Sequence, residues 1–373
     1  MHSRAFAAIF EALPDPALLV RSEPSGEPRV ALANPAARAA FPAMLGQPML
    51  ASVIRRPEVL DIVEATLRRG ETGEAVYESG GAQDRRMQAI TRPLPADEDG
   101  APLALLILRD ETEALRNERM RADFLANASH ELKTPLASLS GFIETLRGHA
   151  KDDPVARERF LGVMADQADR MGRLIADLLS LSRVELDEHI PPSGQVDLAL
   201  AALDVADALQ PLATKADVRV EIFGAGPATV PGDRHQVLQV LQNLVENALK
   251  YTPAGGVVTV EVETGLTAAD LAKGKRDGAP SRILLSPDLR HATRYAAVRV
   301  TDFGPGISRE HLPRLTERFY RAPGQKSGET SGTGLGLAIV KHIINRHKGG
   351  LFVESEPGAG AAFTAYFPQI PVA

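Results

Sequence analysis

The chain contains no cysteine. That excludes disulfides, thiol nucleophiles, thiolate zinc sites and cysteinyl–flavin photochemistry. Long hydrophobic runs are missing as well. Stretches such as Leu103 to Leu108 fall far short of the ~20 apolar residues that a membrane-spanning helix needs. No secretory signal opens the chain, so it reads as a soluble, cytoplasmic protein. Neither sign of charge dominates: the formal net charge is -6, with acidic and basic residues interspersed. Direct nucleic-acid binding is therefore not expected.

The 373 residues suffice for two or three domains, each with its own core. Residues 1–112 mix short apolar runs ("ALLV", "RVALAN", "RMQAITRPL", "LALLILRD") with proline and glycine breaks, the pattern of a small α+β module. Residues 113–190 are helical in pattern and poor in glycine, with one break at "GHAKDDP". Asp153 ahead of Pro154 is an N-cap followed by proline at the first helical position, so a second helix starts there. In residues 191–373 strands and helices alternate and glycine-rich stretches appear.

The two central helices carry heptad seams. Leu125, Ala128, Leu132, Pro135, Leu139, Phe142 and Leu146 line one; Phe160, Met164, Gln167, Met171, Leu174, Leu178 and Leu181 line the other. A lone two-helix hairpin buries too little surface to stand alone. Pairing two hairpins into a four-helix bundle solves this and predicts a homodimer. His130 lies two residues past the seam position Ala128, on the outer face. Glu131 is adjacent to take an imidazole proton, and Thr134 lies one turn along the same face. Pro135 inside the helical pattern costs stability and loosens the helix just beyond. An exposed neutral imidazole with a base at hand is a competent nucleophile.

The second cluster is "DRHQVLQVLQNLVENALKYTP". Val237, Val240, Leu241, Leu244, Val245 and Ala248 form one face, and Asn243, Glu246, Asn247 and Lys250 the other. Amides at i and i+4 offer carbonyl oxygens to a hard cation such as Mg2+, and Lys250 offers its charge to phosphate. Tyr251 either stacks on a base or packs. Downstream, "VRVTDFGPGIS" ends a strand at Asp302 and turns through Gly304 and Gly306, where a carboxylate can accept from an amino group such as that of adenine. In "SGTGLGLAIVKHIINRH", Gly332, Gly334 and Gly336, interleaved with Thr333 and Leu335, open an amphipathic helix whose N-terminus can hold phosphate.

Taken in order, "SHELKTPL", "NLVENALKYTP", "DFGPGI", "ERFYR" and "GTGLGLAIV" resemble the successive boxes of the sensor histidine kinases of two-component systems, in particular the phosphate-sensing (PhoR-type) subfamily. The resemblance covers residues 113–373. It implies a dimerisation and histidine-phosphotransfer hairpin followed by a GHKL-type α/β sandwich that binds ATP and Mg2+. On that pattern His130 is the phosphoacceptor and Glu131 its base. Asn247, helped by Asn243, holds the metal; Lys250 and Arg321 meet phosphates; Tyr251 lies against the adenine and Asp302 binds its amino group. Phe319 anchors the lid "RAPGQKSGETSG". A response-regulator receiver domain is the implied partner, and the His-Glu-x-x-Thr pattern implies phosphatase activity toward it.

The first module, through "FEALPDPALLV" and "ALANPAARAAF", looks like a PAS domain. With only His2 ahead of His130 and no cysteine, it offers no ligand for haem or covalent flavin; a ligand-free dimerising spacer stands equally open. Two features depart from the family pattern. Residues 264–294 lengthen a usually short connection and read as a surface excursion, either a docking element or nothing. Family members commonly carry transmembrane helices ahead of the PAS module, so membrane association here would need a missing or separate anchor, the chain then being the cytoplasmic portion of an inner-membrane sensor. Hydrolytic relatives of the sandwich carry a water-activating glutamate four residues before the metal-binding asparagine. Asn243 occupies that position here.

Overall fold

The structure is a computed structural model and describes residues 2–42, 46, 48–79, 85–224, 226–267, 269–270, 279–287, 294–322 and 332–369. The chain forms two compact units, Met1–Asp123 and Phe124–Ala373.

The first unit runs α1 (His2–Ala12), β1 (Ala17–Ser22), β2 (Pro28–Ala33), α2 (Pro35–Ala40), α3 (Leu50–Val53), α4 (Pro57–Arg69), β3 (Gly73–Ser79), β4 (Arg85–Leu94) and β5 (Leu103–Asp110). Its five strands make one antiparallel sheet in the order β2-β1-β5-β4-β3, with α2 to α4 inserted between β2 and β3. β5 shows the cause in its alternation: Ala104, Leu106 and Leu108 are buried, against Val59, Val63 and Leu67 of α4. Asn34 is the buried hub. Its Oδ1 accepts from the Ala17 and Ala37 amides (2.9 and 2.8 Å), and its Nδ2 donates to the carbonyls of Leu13 (3.1 Å) and Asp15 (2.9 Å). All four hydrogen-bonding positions of the amide are used, tying the start of β1 to the start of α2.

α5 (Thr112–Arg147) begins in the first unit and continues from Phe124 in the second, where it pairs with α6 (Pro154–Leu186). Asp153 caps α6 as expected, its Oδ1 accepting from the amides of Val155 and Ala156. The seam residues from Ala128 to Leu146 and from Phe160 to Leu181 are buried or half-buried, and Phe142 stacks on Phe160 at 5.4 Å between ring centroids. Leu125 breaks the expected pattern: it is 65% exposed. The neighbouring Phe124 takes the inward place instead, packing on Phe319 at 5.8 Å. A second apolar stripe, Leu136 and Ile143 on α5 with Leu161, Ile175 and Leu179 on α6, faces solvent.

The remainder runs β6 (Gln195–Asp197), α7 (Leu198–Ala216), β7 (Arg219–Phe223), β8 (Thr229–Pro231), α8 (Arg234–Tyr251), β9 (Val257–Leu266), β10 (Ser281–Leu285), β11 (Tyr295–Thr301), a 3-10 turn (Leu312–Arg314), α9 (Gly336–Arg346), β12 (Gly350–Glu356) and β13 (Gly360–Pro368). Six strands form a mixed sheet in the order β10-β12-β13-β11-β9-β7, antiparallel except for β7 with β9, and β6 pairs with β8. The apolar faces of α7, α8 and α9 share one core with Val258, Val260, Val298, Val300, Val353 and Phe363 of the sheet. This is a two-layer α/β sandwich.

Within the excursion at 264–294, residues 281–285 form β10, an added edge strand hydrogen-bonded to β12 whose residues are exposed or half-buried. Residues 268, 271–278 and 288–293 lie outside the described residues. The outer face of the sheet also holds a small core of its own, Tyr295, Ala297, Phe352 and Tyr366, beside a buried Arg299–Glu354 ion pair. Burial pushes the Tyr366 phenol up to about 12. Among the described residues no helix is long and apolar enough to cross a membrane.

Candidate functional site

His130 is exposed on α5. Beside it, the Glu131 carboxylate is half-buried and accepts from Arg170 Nη2 of α6 at 3.2 Å. The Thr134 hydroxyl donates back to the His130 carbonyl at 3.2 Å, the i−4 back-bond that threonine makes in helices. Its proton is therefore engaged, while its oxygen can still accept. Pro135 is buried in the seam. It supplies no N–H for the carbonyl of Glu131 one turn earlier.

The other residues converge at the C-terminal end of α8 and the N-terminal end of α9. All six residues read as the apolar face of α8 are buried, which turns Asn243, Asn247 and Lys250 the other way, each half-exposed. Asn243 Nδ2 donates to the Gln239 carbonyl at 2.9 Å. Its Oδ1 lies so close to Gly336 that a Cβ there would sit 2.5 Å away, so only glycine lets α9 start against α8. Lys250 Nζ lies 4.9 Å from the centre of the Tyr251 ring. Burial, with the positive charge of Arg321 nearby, brings the Lys250 ammonium down to about 8. Two half-buried cations set close together leave this end of α8 suited to an anionic group. Burial also raises the Tyr251 phenol.

Asp302 is buried directly after β11, its Oδ1 accepting from the amides of Gly304 (2.9 Å) and Ala361 (3.2 Å). The turn beyond is closed tightly. Gly306 has φ +71°, and a Cβ there would meet the Glu356 carbonyl oxygen at 2.0 Å. Phe319 holds left-handed backbone at φ 62°, unusual for a bulky residue, and its N–H donates to the Gly334 carbonyl at 2.9 Å. The residue expected to anchor the lid thus buttresses the glycine box. Lid residues 323–331 lie outside the described residues. Gly332 is exposed near Lys250 Nζ, and Leu335 is fully buried. Among the described residues no cluster of three or more histidine, cysteine, aspartate or glutamate side chains could hold a metal.

Several contacts were not foreseen. The Thr333 hydroxyl donates to Asp177 of α6 at 2.6 Å, and burial raises the carboxyl of Asp177 despite that bond. Further along α6, Glu185 accepts from Arg318 at 2.5 Å, Glu188 pairs with His342 at 3.1 Å, and Ser180 bonds Gln239. Arg318 also lies over the Phe124 ring at 5.1 Å. These contacts seat the sandwich on the lower part of the hairpin. Arg170 marks the level of Glu131, and Asp177 lies two turns further, roughly 10 Å along the axis. His347 is buried at the far end of α9. Its Nδ1 bonds the Ile343 carbonyl and its Nε2 accepts from the Asp233 amide at 3.2 Å, bracing the start of α8. No local periodicity signals any of these pairings.

The model of the His Kinase A (phospho-acceptor) domain matches residues 120–187, and that of the histidine kinase-, DNA gyrase B-, and HSP90-like ATPase matches residues 232–371. The chain belongs to the sensor histidine kinases, with a helical phosphoacceptor hairpin followed by a GHKL ATP-binding domain. Within them it is similar to the phosphate regulon sensor protein PhoR of Pseudomonas aeruginosa, 35% identical over 271 residues, covering 72% of this chain and 55% of that protein. The sensor-like histidine kinase SenX3 of Mycobacterium tuberculosis is 33% identical over 273 residues, covering 73% and 60%. The chain therefore spans little more than half the length of these relatives. A solved structure of the Acinetobacter baumannii histidine kinase AdeS matches with 25% identity and a TM-score of 0.45, over 64% of this chain and 98% of that one.

Proposed function

We propose that the chain is an ATP-dependent protein histidine kinase that phosphorylates itself on His130 and passes the phosphoryl group to an aspartate of a response-regulator receiver domain. The observation that carries this reading is an exposed imidazole flanked by an oriented carboxylate, in the same chain as half-buried Lys250 and Arg321 beside the glycine-rich start of α9. In this reading Lys250, Arg321 and the N-terminus of α9 hold the triphosphate, and Asp302, fixed by two backbone amides, selects adenine through its amino group. Mg2+ would neutralise the phosphate oxygens and align them for transfer. It suits the site, because it keeps several waters and substrate oxygens and needs only one or two protein ligands. Asn247 would hold it, helped by the Asn243 side-chain carbonyl oxygen, while the Asn243 amide nitrogen donates to the Gln239 carbonyl.

The exposed stripe of Leu136, Ile143, Leu161, Ile175 and Leu179 supports the homodimer, since a second hairpin would cover it and complete a four-helix bundle. A PAS-like role for the first unit is supported by its single antiparallel sheet and the helices inserted after β2. A cytoplasmic location, or the cytoplasmic part of a membrane sensor, follows from the same family reading. Direct ATP hydrolysis is disfavoured, because Asn243 stands where a water-activating glutamate would be needed.

The test is incubation with radiolabelled ATP and Mg2+. An acid-labile, base-stable phosphate should appear on His130 and vanish in His130→Gln while ATP affinity stays unchanged. Full labelling of the variant at the same mapped peptide would overturn the assignment.

A further inference from the structure

Where α5 carries His130 it runs unbroken but lacks one backbone bond. Pro135 gives the Glu131 carbonyl no helical donor, and the Thr134 hydroxyl is drawn back onto the His130 carbonyl. Glutamate has three side-chain torsions, so on a loosened and partly solvated turn its carboxylate would spread over many rotamers. A base for the adjacent imidazole has to be held in one of them.

The opposite helix supplies the constraint. Arg170 Nη2 reaches across the hairpin to Glu131 Oε2 at 3.2 Å. Exposed ion pairs usually contribute little, but three observations set this one apart. It is, among the described residues, the only ion pair that joins α5 to α6. Its side chains are 31% and 34% exposed, against 69% and 43% for the helix-surface pair Arg68–Glu64. Both residues also flank inward seam positions, Glu131 next to Leu132 and Arg170 next to Met171, so each side chain leaves from the packed interface.

We propose that Arg170 is a positioning residue for phosphoryl transfer: it holds the Glu131 carboxylate in the orientation that serves the His130 ring. The proposal rests on the assignment of His130 as phosphoacceptor. In the step concerned, a lone pair on one ring nitrogen forms the N–P bond to the γ-phosphorus. The bond from that phosphorus to the bridging oxygen breaks, its electron pair leaving with ADP. The proton on the other ring nitrogen passes to Glu131. Arg170 touches none of the reacting atoms and acts only through the carboxylate.

The experiment measures initial rates of His130 labelling against ATP concentration in the full chain, for wild type, Arg170→Ala, Arg170→Lys, Glu131→Gln and the double variant Arg170→Ala/Glu131→Gln. Arg170→Ala should lower kcat about tenfold with KM for ATP unchanged. Arg170→Lys should recover part of the loss. On the Glu131→Gln background the alanine should cost nothing further, because the group it orients is already gone. Equal losses on both backgrounds, an effect on KM alone, or no effect would each overturn the proposal. If Arg170→Ala melts below the assay temperature, Arg170→Met, which keeps the packed stem, replaces it. A wild-type chain that never labels would instead defeat the kinase assignment itself, so the two failures are distinguishable.

Discussion

On the hairpin, His130 and Thr134 are exposed and Glu131 is held by one ion pair; in the sandwich, Asp302 is buried and the glycine turns meet backbone at distances that admit no Cβ. The hairpin therefore works through the chemistry of side chains that solvent and partners can reach. The sandwich works through position, its nucleotide pocket being shaped by what is missing from its turns. A change on the hairpin should remove a reaction and leave the fold. A change in the glycine turns should remove the fold of the pocket and the reaction with it.

The largest effect that would break this comparison is expected at Gly306. Alanine there must adopt left-handed backbone and place a methyl 2.0 Å from the Glu356 carbonyl. We expect a loss on the order of 3 kcal/mol in unfolding free energy, together with loss of ATP binding, read by thermal melts and a fluorescent nucleotide analogue. His130→Gln should show the reverse, with no labelling but an unchanged melt. A Gly306→Ala protein that melts and binds like wild type would show that the turn is not closed as described.

How much of this could be read in the sequence follows the same division. The hairpin, its Asp153 cap, the apolar face of α8 and the order of the boxes are local patterns, and each is found where periodicity and capping place it. Heptad spacing could not decide which of two adjacent apolar residues turns inward. Phe124 does so in place of Leu125, because a partner 195 residues away in the chain, Phe319, receives its ring. The Asn34 hub, Arg170 with Glu131, Thr333 with Asp177 and β10 with β12 are likewise pairings between distant segments. Single-sequence periodicity carries no information about them.

The middle-sized effect concerns pH and sharpens the role of position. Burial and Arg321 hold the free Lys250 ammonium at about 8, below the ordinary lysine value of 10.5. The charged form meets phosphate, so raising the pH through about 8 removes the charge and weakens ATP binding. From pH 7 to 9 the affinity should fall roughly fivefold to tenfold, measured by nucleotide titration. Lys250→Arg stays charged throughout and should flatten the curve. An equal fall in both proteins would mean that another group titrates.

The smallest effect on the protein itself is expected at Thr134, and it tests whether the hairpin carries two reactions on one face. The hydroxyl donates to the His130 carbonyl, a back-bond that stabilises little, so Thr134→Ala should shift stability by no more than about 0.5 kcal/mol. Its oxygen retains acceptor capacity one turn from His130, where it can orient a water toward a phosphoaspartate on a docked receiver domain. The structural alternative is that a β-branched residue simply suits the backbone before Pro135. The two readings part on one measurement. Thr134→Ala should label on His130 and transfer to the regulator at wild-type rates, yet slow the loss of phosphate from the purified phosphorylated regulator several-fold. Thr134→Ser, which keeps the hydroxyl and discards the branch, should restore that rate. If serine and alanine behave alike, with decay as fast as wild type, the hydroxyl serves the helix alone and the hairpin is a donor of phosphate only.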